Sequence, residues 1–136
     1  MSYECNILIL DDEPIVGDRL KTILGKYGHH VEVFTDPLSA LRCLEEKNID
    51  IVISDIRMPE MDGIQVMNWI SQSSQRTKVI LITGYATLEL ARESLTKGAF
   101  DFIAKPFKSK EIRQTIQRAA EALHQDGSRI SEKAKA

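Results

Sequence analysis

Two adjacent carboxylates, Asp11 and Asp12, follow the apolar run Asn6-Ile7-Leu8-Ile9-Leu10. A third, Asp55, comes one residue after Ile51-Val52-Ile53-Ser54 begins to turn polar. Thr83 follows Val79-Ile80-Leu81-Ile82, and Lys105-Pro106 follows the run 100–104. Each alone has a plain structural use: Asp11 or Asp12 as a helix cap, Thr83 as a strand end, Lys105 as a solvated cation. A cap needs no second acid, however, and does not account for Asp55. Two carboxylates about 4 Å apart repel by roughly 4 kcal/mol at an effective dielectric near 20. Three on one rim therefore call for a cation. Lys105 offsets one charge, and a hard divalent ion with oxygen ligands offsets the rest. Mg2+, which keeps its waters and takes one or two carboxylates, fits that need. An aspartate beside such an ion can attack phosphorus and form an aspartyl phosphate. The ion and Lys105 would hold the phosphoryl oxygens, and the Thr83 hydroxyl would donate a further hydrogen bond.

These residues share a rim only if the runs before them are parallel strands of one sheet. Five short runs (6–10, 31–34, 51–53, 79–82 and 100–104) alternate with five amphipathic stretches. The first, third and fourth runs are continuous in Ile, Leu and Val, as in strands buried on both faces. The first helical period places Val16, Leu20, Ile23, Leu24 and Tyr27 on one face, with Pro14 in its first turn and Gly28 as its stop. A second, 37–44, opens after the N-cap Asp36, and a third, 63–70, carries Val66, Met67 and Ile70 on one face. Gly63 is expected to supply a turn conformation that other residues resist. In the fourth, 87–95, Leu88, Ala91 and Leu95 are expected to face the sheet, leaving Leu90 exposed, with Gly98 as the stop. Ser109 is expected to cap a last helix that buries Ile112, Ile116, Ala119, Ala120 and Leu123. Strict alternation predicts an α/β fold: a doubly wound (βα)5 three-layer sandwich around a parallel five-stranded sheet of order 2-1-3-4-5. Ligands of such sheets sit outside the carboxyl ends of the strands, where all these residues fall. Asp55 then ends the central strand and is the expected nucleophile.

Composition removes other classes. With 18 Lys and Arg against 20 Asp and Glu, the net charge is -2, and no basic surface for direct nucleic-acid binding is expected. No apolar run approaches a membrane span, and Met1-Ser2-Tyr3-Glu4 lacks the features of a signal peptide. Cys5 and Cys43 form no C-x-x-C pair and read as small buried side chains of a reduced protein, so a cytoplasmic location is expected. His29, His30 and His124 lack metal spacing and are expected at the surface. Trp69 is expected to be half exposed, and Met58, Pro59 and Met61 to line the site. Residues 4–124 are expected to form one domain, with 125–136 a polar tail or the start of a linker.

The segments ILILDDEP, IVISDIRMPEMDG, VILITGYA and KGAFDFIAKPF, in that order and each after a predicted strand, resemble the receiver domains of bacterial two-component response regulators. The resemblance runs from about residue 6 to 123 and implies a flavodoxin-like fold. It implies that Asp55 is the phosphoacceptor and that Asp11, Asp12 and Asp55 hold Mg2+ (with Mn2+ able to substitute) together with the backbone carbonyl of Arg57. It further implies Thr83 as the switch hydroxyl, Phe102 as the aromatic switch residue, Lys105 as the site lysine and a cis Lys105-Pro106 bond. The implied partners are a sensor histidine kinase, an effector domain or downstream protein, and a second copy in a phosphorylation-dependent homodimer. Receivers of activators that work with sigma factor 54 look most similar around Thr83-Gly84-Tyr85 and Lys105-Pro106-Phe107. In that family the positions of Arg57 and Tyr85 flank the approach of a hydrolytic water. Both side chains are large and neither orients a water, which implies a long-lived phosphorylated state.

Other classes fit less well. An aspartyl-phosphate phosphatase or phosphotransferase of the D-x-D kind would want an acid where Arg57 stands. A flavodoxin-like cofactor binder would want a Ser/Thr/Gly-rich loop after the first strand, where Asp11-Asp12-Glu13-Pro14 repels phosphate. A stand-alone receiver that acts by protein contact without phosphorylation would usually have lost the acid pair or the lysine. The expected activity is therefore catalysis of the domain's own phosphorylation and slow dephosphorylation, without turnover of a small-molecule substrate.

Overall fold

A computed structural model describes residues 3–73, 76–84 and 87–126. Strands and helices alternate as β1 Asn6–Leu10, α1 Pro14–Gly25, β2 His30–Phe34, α2 Pro37–Glu46, β3 Ile51–Asp55, α3 Gly63–Ser73, β4 Lys78–Thr83, α4 Leu88–Thr96, β5 Asp101–Ala104 and α5 Ser109–Gln125. The strands are parallel, in the order β2-β1-β3-β4-β5. Successive strand side chains point to opposite faces, so the period of two splits the core. Ile7, Ile9, Ile51, Ile53, Ile80, Ile82 and Ile103 pack under α1 and α5 with Leu20, Leu24, Ile112 and Ile116. Leu8, Leu10, Val52, Val79 and Leu81 pack on the other face with Ala40, Leu41, Val66, Met67 and Ile70. Tyr3, just ahead of the expected domain start, is 4% exposed and belongs to the first cluster. Among the described residues, no helix is long and apolar enough to cross a membrane.

The Asp36 carboxylate caps α2 by accepting the Ser39 N–H at 2.9 Å. Elsewhere the local reading needs correction. Helix α1 stops at Gly25, so Tyr27 lies beyond it and is 37% exposed, while Gly28 takes the positive φ of 83° that ends the turn. Ser109 is the first residue of α5 rather than its cap; the N–H of Lys108 is satisfied by the Glu111 carboxylate at 3.2 Å. Helix α4 is rotated from the expected phase. Leu88 and Leu95 are exposed, Leu90 packs against the core, and Ser94 is buried. Hydrophobicity alone misjudged this helix because a serine faces inward. The Ser94 hydroxyl donates to the Leu90 carbonyl at 2.8 Å, which makes it tolerable in the core. His29 is half buried, not on the surface, and its Nδ1 accepts the Cys5 N–H at 3.1 Å.

Candidate functional site

Register explains why three acids and a lysine meet. Leu10 pairs with Ser54 across β1 and β3, so Asp11 and Asp55 leave the sheet side by side. Thr83 pairs with Ala104 across β4 and β5, and the Lys105 N–H donates to the Thr83 carbonyl at 2.8 Å. Asp11, Asp55 and Thr83 are buried, whereas Asp12 is exposed. Lys105 Nζ donates to Asp55 Oδ2 at 3.0 Å and to Glu13 Oε1 at 3.2 Å, and lies 2.9 Å from Asp11 Oδ2. The Lys105-Pro106 peptide bond is cis. Phe102, paired with Leu81, is half buried against the second core cluster.

The loop after β3 folds back on its own carboxylate: the Arg57 N–H donates to Asp55 Oδ1 at 3.1 Å, and the Gly63 N–H donates to the Ile56 carbonyl at 2.9 Å. Gly63 serves a different purpose from the expected one. Its φ is not positive; instead, a Cβ there would lie 2.5 Å from the Asp55 carbonyl oxygen, so only glycine lets α3 start this close to β3. Met58 and Pro59 line an open cleft of about 1100 Å³ that also takes in Asp12, Asp55, Arg57 and Lys105 and extends to Ile64, Leu90 and Glu93. Met61 packs instead against the core. Tyr85 lies outside the described residues.

Burial raises the pKa of Asp11, with Asp55 adding to the effect, while Lys105 and the Glu13 N–H pull the other way. Burial opposes the charge on Lys105, but Asp11 and Asp55 outweigh it and hold the ammonium above its ordinary value. The donor set suits a hard cation. Ligand oxygens of Asp11, Asp12, Glu13 and Asp55 lie within 4.8 Å of one another. The buried Oδ2 of Asp11 has the nearby Lys105 charge but no aligned hydrogen bond, which leaves a lone pair turned into the cluster. Sequence reasoning overlooked Glu13 as a Lys105 partner. Its place directly after the acid pair was the available signal, but only the turn into α1 brings its carboxylate back over the rim.

The acidic, lysine-paired rim lies at the carboxyl ends of the strands of a doubly wound sheet, where such sheets bind their ligands. The family model described as "Response regulator receiver domain" matches residues 7–117, and the chain belongs to that family. Regulatory protein AtoC of Escherichia coli (strain K12) is 42% identical over 113 residues, which is 83% of this chain and 24% of AtoC. The C4-dicarboxylate transport transcriptional regulatory protein DctD of Rhizobium meliloti (strain 1021) is 35% identical over 89% of this chain and 26% of DctD. The chain thus spans about a quarter of the length of these curated relatives. A CheY-like receiver domain from Methanospirillum hungatei JF-1 superposes with a TM-score of 0.85 at 29% identity, over 91% of this chain and 99% of that one. The beryllofluoride-activated NtrC4 receiver domain dimer gives 0.83 at 30% identity, over 87% and 98%. Fold, strand order and membership among two-component response regulators are therefore as the sequence implied.

Proposed function

We propose that this receiver is a switch that takes a phosphoryl group onto Asp55 from the phosphohistidine of a sensor histidine kinase in the cytoplasm. The observation that carries this reading is the shared contact of Lys105 Nζ with the buried Asp55 and Asp11 carboxylates at one rim. An Asp55 oxygen attacks phosphorus; the P–N bond breaks and its electron pair returns to the imidazole. Asp11, Asp12, Asp55 and the Arg57 carbonyl would hold Mg2+, or Mn2+ in its place, which supplies charge neutralisation for the phosphoryl oxygens. Lys105 pairs with one of those oxygens, and the Thr83 hydroxyl donates to another. Phe102 responds to Thr83, and the output reaches an effector domain or downstream protein, in keeping with the transcriptional regulators among the relatives. The likeness to receivers of activators that work with sigma factor 54 extends the same reading. A phosphorylation-dependent homodimer belongs to it as well, because the NtrC4 receiver is described as a beryllofluoride-activated dimer.

Intact-mass measurement after incubation with acetyl phosphate tests the assignment. One phosphoryl group is expected on the wild type with Mg2+, and none after chelation or in Asp55→Asn. Labelling of the variant to the wild-type level would disprove it.

A further inference from the structure

Glu13 is the one rim carboxylate that the roles above leave unused. Its residue is the N-cap of α1, yet its side chain makes no capping bond, and the helix start is served instead by the Asp11 carboxylate, which accepts the Glu13 N–H at 2.8 Å. The Glu13 carboxylate reaches Lys105 across 92 residues of sequence, with Oε1 accepting from Nζ at 3.2 Å. An ammonium has three N–H groups. This one donates to Asp55 at 3.0 Å and to Glu13 at 3.2 Å, and Asp11 Oδ2 lies 2.9 Å away, so carboxylate oxygens crowd the ammonium where an arriving anion would have to contact it. The Asp11 and Asp55 side chains are 1% and 6% exposed, and losing the lysine would leave their charges buried; the Glu13 side chain is 65% exposed and rehydrates when it lets go. Glu13 is therefore the partner that leaves most cheaply.

We propose that Glu13 is a positioning residue that occupies Lys105 in the unphosphorylated state and must release it before Lys105 can contact an incoming phosphoryl group. This rests on the phosphoacceptor reading above and sets how much anionic donor is needed, not how fast the P–O or P–N bond then breaks. With acetyl phosphate, the Asp55–phosphorus bond forms as the phosphorus–acetate bond breaks and acetate departs.

Wild type, Glu13→Gln and Glu13→Asp are compared at Mg2+ concentrations that saturate each. The Gln variant loses the charge; the Asp variant keeps the charge but is one methylene too short for the contact. Both should reach half-saturation at about threefold less acetyl phosphate, with an unchanged maximal labelling rate, since an exposed ion pair is worth little more than this. Both should also bind beryllofluoride about threefold more tightly by 19F NMR titration, with thermal midpoints within about 3 °C of the wild type's. If Glu13→Asp behaves like the wild type while Glu13→Gln shifts, rim charge alone is responsible and the proposal is overturned. No shift in either variant overturns it as well. A wild type that neither labels nor binds beryllofluoride overturns the phosphoacceptor reading beneath it.

Discussion

Asp11 bears on stability as much as on the proposed chemistry. It is fully buried, its Oδ2 lacks an aligned donor, and burial is the leading cause of its raised pKa. Its Oδ1, however, holds the Glu13 N–H, a bond that asparagine keeps. In the metal-free protein, Asp11→Asn should therefore raise the melting temperature by about 3–5 °C, the equivalent of about 1 kcal/mol for a domain of this size. Mg2+ should raise the wild-type midpoint by mass action and do much less for the variant. A variant that melts below the wild type without metal would show that the Lys105 contact outweighs the burial penalty. Arg57 carries a second prediction at this scale. Its backbone holds Asp55 while its side chain is exposed beside the cleft, where no carboxamide orients a water. Phosphoprotein decay should be faster in Arg57→Asn than in the wild type; equal or slower loss would remove the long-lifetime expectation. Asp11, Asp55, Thr83 and Lys105 were legible in the sequence because each stands within two residues of the end of an apolar run, and strand ends fix where such residues go. Glu13 was not, because its position over Lys105 depends on the path of a turn rather than on a strand.

Helix α4 shows where pattern reading fails at the level of an element. Its apolar residues Leu88, Leu90, Ala91 and Leu95 admit two phases, and only packing decides between them. The structure chooses the phase that half-buries Leu90, buries Ser94 and leaves Leu88 and Leu95 at 66% and 47% exposure. Sequence hydropathy favoured the other because serine is seldom buried, and it becomes so here by returning its hydroxyl to the carbonyl one turn back. The central strands admit no such ambiguity, since a continuous Ile/Leu/Val run has no polar side to misplace. Gly63 is a related case: the sequence marked it as special, but close approach to the Asp55 carbonyl, invisible without the fold, is the reason. The α4 phase predicts that Leu90→Ala costs about 1–3 kcal/mol in chemical denaturation, as expected for a partly buried leucine. Leu88→Ala should stay within about 0.5 kcal/mol of the wild type. The reverse ranking would restore the phase expected from hydropathy.

At the scale of the molecule, the proposed homodimer needs a surface on which two copies can meet. Leu90, expected in the open, is half buried against the core and lines the site cleft, which leaves Leu88 and Leu95 as the exposed leucines of α4. Leu88 and Leu95, seven residues apart, lie on one side of α4, with Glu89 and Arg92 between them and the Lys97–Glu93 ion pair at its end. Single exposed leucines are ordinary; two on one stripe, bordered by both signs of charge, form a patch that a two-fold axis can pair with itself. The route from the site is short. Lys105 is bonded to Thr83 through the backbone, Thr83 ends the strand whose Leu81 pairs with Phe102, and α4 begins within five residues of Thr83. A phosphoryl group at Asp55 can shift the population of the dimer-competent state only through contacts that differ between the two states, and Thr83 and Lys105 are the groups placed to make them. Sedimentation velocity should therefore show a monomer for the free protein and a dimer with Mg2+ and beryllofluoride. Leu88→Glu/Leu95→Glu should remain monomeric in both while still binding beryllofluoride. A wild type that stays monomeric with beryllofluoride bound would remove the homodimer from the proposed function. A double variant that dimerises as well as the wild type would move the interface to another face of the domain.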